Sequence, residues 1–120
     1  ATALSGIDPE EFAYINSLKT IKEDAYVMSY ITAYPTWLVG YSGKETIAPG
    51  LFNHNKWSVD QWEEFWLTSN YTVTSELMKV YDKPVYIYIG KIIRYNESKF
   101  DGPCFTKFFE RNRVHIYRFN

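Results

Sequence analysis

Residues Trp57 to Trp66 read WSVDQWEEFW and hold three of the chain's four tryptophans. Ser58 is a strong helix N-cap, and Gln61, three residues on, can reach back to the Ser58 backbone N–H to complete a capping box. Trp57 and Trp62 occupy the positions of a hydrophobic staple. Val59, Trp62, Phe65 and Trp66 then share one face of a short helix, and Asp60, Glu63 and Glu64 take the other. Such an aromatic slab either plugs a core or walls a pocket.

Working upstream, Asp8, Pro9 and Glu11 have the N-cap, N1 and N3 pattern of another helix start, with Ile7 and Phe12 as a second staple. Phe12, Ile15, Leu18 and Ile21 form its apolar face, with Glu10, Glu11, Lys19 and Lys22 outward. Residues 1–6 are expected to fray. Ala25 to Tyr34 is almost wholly apolar; its periodicity fits helix or strand, and the helical start before it and Pro35 after it favour helix. Thr36 to Tyr41 and Glu45 to Ala48 read as a small hairpin about Ser42-Gly43-Lys44. Residues 49–56 form an irregular polar loop.

Downstream the chain reads as strands. Tyr71 to Tyr81 alternates with a slip, Val85 to Tyr95 alternates through Gly90, and Cys104 to Phe109 with Arg113 to Phe119 makes a terminal hairpin. Asn112 can take positive φ in its turn. The expected fold is therefore α+β, with N-terminal helices and one later helix packed on one face of a strongly curved antiparallel sheet, cone-like. Residues 1–120 form one domain, without repeats or a linker.

Composition bounds the function. An aromatic fraction of 19% means large side chains filling a core, lining a cavity or sitting at an interface. The lone Cys104 makes no internal disulfide, and no basic and apolar leader opens the chain, so a reducing, cytoplasmic setting is expected. No apolar run approaches membrane-spanning length. Residues 1–81 carry 5 Lys and Arg against 10 Asp and Glu, and residues 82–120 carry 8 against 4. Tyr86, Tyr88, Phe105, Phe108 and Tyr117 with Lys91, Arg94, Lys107, Arg111, Arg113 and Arg118 resemble a stacking and phosphate surface, but the sequence pI of 6.1 and the lack of a nucleic-acid motif argue against that use.

Chemistry-bearing residues are sparse. Two histidines and one cysteine are too few for a transition-metal centre, and no cofactor motif occurs. His54, in the polar loop, and His115, in the last strand beside Arg113 and Tyr117, are the candidate acid or base groups. Asn70-Tyr71-Thr72 and Asn96-Glu97-Ser98 match the glycosylation pattern as chance does in a chain with seven Asn. Ligand-lining candidates are Tyr30, Trp37, Trp62, Trp66, Tyr88 and His115.

In element order, and in the form of the hairpin Phe105 to Phe119 with its Arg-Val-His-Ile-Tyr strand, the chain resembles the NTF2-like superfamily of cone-shaped α+β domains. That resemblance implies a hydrophobic pocket at the cone's mouth. The family contains isomerases, cyclases, dehydratases and non-enzymatic binding modules, and no Asp/His pair in the first helix and strand lets catalysis be carried over. The expectation is a domain that binds a small, mostly apolar ligand in an aromatic-lined pocket, with catalysis left open and a homodimer through the sheet as one assembly. The alternative is a protein-interaction module of immunity or inhibitor type with an exposed aromatic surface.

Overall fold

The computed structural model describes residues 9–29, 42–49, 55–90 and 95–120. In chain order these form α1 (Pro9–Ser17) with a 3-10 turn (Leu18–Thr20), β1 (Tyr26–Ser29), β2 (Glu45–Ile47), α2 (Val59–Leu67), α3 (Tyr71–Met78), β3 (Val85–Ile89), a second 3-10 turn (Glu97–Phe100), β4 (Phe105–Arg111) and β5 (Val114–Phe119). The expected frayed end, the stretch Thr36 to Tyr41 and the continuation past Gly90 lie outside the described residues, apart from Tyr95.

The five strands form one sheet in the order β2-β1-β3-β5-β4. β1 pairs parallel with both β2 and β3, whereas β5 pairs antiparallel with β3 and β4. The domain is α+β, as expected, but the sheet is mixed rather than antiparallel and is not curled into a cone. Two misread segments explain the difference. Tyr26–Ser29 is a strand, not a helix; all four of its residues are buried. A strand covered on both faces is a continuous apolar run, which periodicity cannot separate from a buried helix. Tyr71–Met78 is a helix, not a strand: Asn70 caps it, its side chain accepting from Val73 N–H, and the imperfect alternation is the i, i+4 spacing of Val73 with Leu77 and Thr74 with Met78. β2 is the strand expected at Glu45 and pairs parallel with β1; its expected hairpin partner, Thr36 to Tyr41, lies outside the described residues.

Helices consequently cover both faces of the sheet, where one covered face was expected. On one side Tyr26, Met28, Val85, Ile87, Ile89, Tyr117 and Phe119 meet Trp57, Trp62 and Phe65 of the tryptophan segment and Leu77 and Met78 of α3. On the other, Val27, Tyr86, Tyr88, Val114 and Ile116 meet Ile15 and Leu18. Strand residues alternate between the two cores with period two. Glu11, expected outward, is 3% exposed beneath α1 and accepts a hydrogen bond from Tyr88 Oη at 3.0 Å. A tyrosine in a sheet centre needs such a partner for its hydroxyl.

The β4–β5 hairpin turns through Asn112 and Arg113, both at positive φ (50° and 66°). Two consecutive left-handed residues make the type I′ turn that matches strand twist. The Asn112 side-chain amide also donates to Glu10 Oε2 and, at 2.8 Å, to Tyr14 Oη, fastening the turn to α1. Before β4, the Tyr71 ring lies over Gly102, where an added Cβ would sit 2.1 Å from Cε1. Two substitutions test this backbone. Arg113→Gly removes a left-handed strain of about 1–2 kcal/mol against a somewhat smaller gain in unfolded-state entropy, so the urea midpoint should rise slightly. Gly102→Ala should lower stability by about 2 kcal/mol or more as the Tyr71 ring is displaced, measured in the same titration.

Candidate functional site

The tryptophan helix forms as its sequence specifies. Ser58 Oγ accepts from Gln61 N–H at 3.2 Å, and Gln61 Oε1 accepts from Ser58 N–H at 2.9 Å. The Trp57 and Trp62 rings close the staple edge-on at 4.7 Å. Their indole N–H groups are both satisfied, Trp57 by Leu77 O and Trp62 by Asn55 Oδ1, each at 2.9 Å. Asn55 also brackets Trp57, accepting from its N–H and donating to its carbonyl. Trp57, Trp62 and Phe65 thus belong to the same buried cluster as Val85, Ile87 and Ile89, with Trp66 half-buried at its margin.

The expected lining residues do not converge. Trp62 and Trp66 are on the α2 side of the sheet and Tyr88 on the α1 side. Tyr30, Trp37 and His54 lie outside the described residues. Of the aromatic and basic set considered for nucleic acid, Tyr86, Tyr88, Phe105 and Tyr117 are buried and Arg118 pairs with Glu23, while Lys91 and Arg94 lie outside the described residues. Asn70 and Asn96 of the two glycosylation matches use their side chains as caps.

His115 projects to the α2 side with Tyr117, as its strand parity implies. Its ring stacks on Tyr117 at 6.3 Å and meets Tyr95 edge-on at 5.5 Å. Nδ1 is buried and lies 3.3 Å from Glu110 Oε2 without the alignment of a hydrogen bond. Around it the Tyr95 and Tyr117 hydroxyls share a hydrogen bond of 2.9 Å, Tyr117 Oη donates to Glu97 Oε1, and Lys107 Nζ bridges Glu97 and Glu110. Burial, reinforced by the bond to Tyr95, pushes the Tyr117 hydroxyl well up, and burial raises Tyr95. Lys107 holds the Glu97 carboxyl down and is itself raised by it. The cluster is thus a set of protonated phenols beside paired charges. Among the described residues no group of three or more His, Cys, Asp and Glu could hold a metal ion.

A different feature opens on the outer surface. Gln61 and Glu64 of α2 and Thr72, Val73, Glu76, Leu77 and the following Val80 line a groove of about 340 Å³ between the two helices. Val59 (82% exposed) and Leu67 (70%) leave apolar surface on α2 and Val80 (45%) just past α3, and Val59 does not join the aromatic face as expected. Reading Tyr71 to Tyr81 as a strand conceals this groove. Asn70 as a cap, with Val73 and Leu77 four apart, is the signal that reveals it.

α2 ends on an unusual support. Lys99, fully buried, donates from Nζ to Phe65 O and, at 2.9 Å, to Trp66 O, satisfying carbonyls that the last helical turn leaves open. Burial pushes its ammonium down to about 8. Since an unfolded lysine titrates near ~10.4, the unfolded chain binds more protons than the folded one between those values, and stability must rise with pH there, by on the order of 3 kcal/mol at most. Above about 10 the direction reverses, because unfolded tyrosines ionise while burial keeps Tyr81 protonated up to about 12. Urea midpoints measured from neutral pH to the tyrosine range should therefore climb and then fall, and Lys99→Met should remove the climb. Among the described residues no helix is long and apolar enough to cross a membrane. No protein-family model, curated protein or solved structure matches this chain.

Proposed function

We propose that the chain is a protein-interaction module, of inhibitor or immunity type, that engages its partner through the α2–α3 face. The observation that carries this reading is the groove of about 340 Å³ between two helices whose inward faces are already committed to the core, with exposed Val80 in its lining and exposed Leu67 at the end of α2. Apolar side chains beside a concave surface favour docking of another protein. The small-ligand reading drew its support from an aromatic excess without a packing role. Trp57, Trp62 and Phe65 have that role, and Tyr88 faces the opposite core. Affinity purification on the immobilised chain should retain one stoichiometric partner. The double variant Leu67→Asp/Val80→Asp, altered only at exposed positions, should retain at least about tenfold less with an unchanged melting temperature. Equal retention by both proteins, or no stoichiometric partner on the wild type, would overturn the proposal.

A further inference from the structure

We infer that the segment occupying the α2–α3 groove is a basic amphipathic stretch of the partner, its aliphatic side chains on Val73, Leu77 and Val80 and its Lys or Arg side chains on the carboxylates of α2. This rests on the interaction reading above and adds the partner's chemistry to it.

Charge is the ground for it. Across residues 57–80 the carboxylates are Asp60, Glu63, Glu64 and Glu76, against the single cation Lys79. Lys79 is engaged by Glu76 at 2.7 Å in a surface pair with both side chains more than half exposed. Such a pair contributes about 0–1 kcal/mol and yields readily to a better partner. Asp60, Glu63 and Glu64 are exposed and form no ion pair among the described residues.

Helix stability accounts for only one of these three. Asp60, in the first turn, is favoured by the helix dipole. Glu63 and Glu64 stand three and four residues beyond it, spacings at which like charges destabilise a helix by about 0.2–0.5 kcal/mol each. They also approach the C-terminal end, where the dipole favours cations and α2 itself has none in its last turn. The cation there is Lys99, supplied from another element and turned inward onto the carbonyls. Local rules broken without a gain to the fold mark a surface kept for something else. Glu64 lines the groove and Glu63 adjoins it in sequence, so a cation lying along the groove meets carboxylates while its neighbours reach the apolar floor. α2 is nine residues, roughly 13 Å long, which matches two to three turns of an incoming amphipathic helix.

The probes are a short Leu/Lys amphipathic peptide and its Leu/Glu counterpart of the same pattern, titrated into the isotope-labelled full chain and followed by amide chemical shifts. The Leu/Lys peptide should shift Gln61, Glu64, Val73 and Leu77, and added salt should weaken it. The Leu/Glu peptide should bind at least about tenfold more weakly. Glu63→Lys/Glu64→Lys, checked for retained shift dispersion, should reverse that preference. Equal binding of both peptides, or shifts that map elsewhere, would sink the inference. The natural partner separates this failure from that of the underlying reading. A partner lost by Leu67→Asp/Val80→Asp but kept by the charge reversal leaves the interaction module standing and removes its basic occupant.

Discussion

The constraint on which the rest of the structure depends is the burial of β3 on both faces. Val85, Ile87 and Ile89 point into one core and Tyr86 and Tyr88 into the other, with β1 parallel on one side and β5 antiparallel on the other. A central strand of this kind cannot have a solvent-facing side, so a helical layer is required above and below. The tyrosines add a second demand, because each hydroxyl must find an acceptor at the margin of its layer. Tyr88 finds Glu11 beneath α1, and Tyr86 donates at 2.7 Å to Glu23, which also accepts from Arg118. Arg118 and Tyr86 together hold the Glu23 carboxyl down at about 2, so this clasp contributes stability that is fully present above the ordinary carboxylate range and is lost as pH falls from there through about 2. Glu23 remains partly exposed, and solvent screening keeps the contribution modest.

The two layers are anchored by different chemistry. On the α1 side the sheet is tied by polar side chains at its rim: Glu11, Glu23, and Asn112 reaching Glu10 and Tyr14. On the α2 side the ties are buried donors on backbone carbonyls, Trp57 onto Leu77 and Lys99 onto Phe65 and Trp66. A directed hydrogen bond fixes one arrangement where apolar contact alone tolerates several. The α2–α3 pair is therefore held in a defined relation from below, which leaves its outer groove a fixed shape.

What could be read from sequence follows from where the determinants lie. The capping box at Ser58, the staple, the first helix from Pro9 and the positive φ at Asn112 are local and came through. Strand β3 was visible because Val85, Ile87 and Ile89 alternate with aromatic residues. Tyr26–Ser29 and Tyr71–Met78 were misread because their identity is settled by tertiary cover: the first is apolar on both sides, and the second has Thr and Val, residues of modest helix propensity, held helical by the core under Leu77 and Met78. Without β1 as a strand and α3 as a helix, neither the parallel pairings nor a helical layer on each face can be foreseen. The groove is illegible for the same reason, since α3 is one of its walls. Glu11 was misplaced because nothing local shows that Tyr88, 77 positions later, will stand beneath it.

The irregularity in β4 has a consequence for the chain in crowded solution. Pairing with β5 skips at Phe108, and the extra residue lets Phe108 and Phe109 both turn toward the α1 side, against Tyr86 and Tyr14 respectively. β4 ends the sheet among the described strands, and an end strand with free backbone groups is a template for stacking further copies. Here the ladder is interrupted midway, with Lys107 on one side of the break and Glu110 and Arg111 beyond it. An approaching strand would meet a backbone out of step and charges of both signs, so the same kink that seats two aromatic rings also makes this edge a poor template for a further strand.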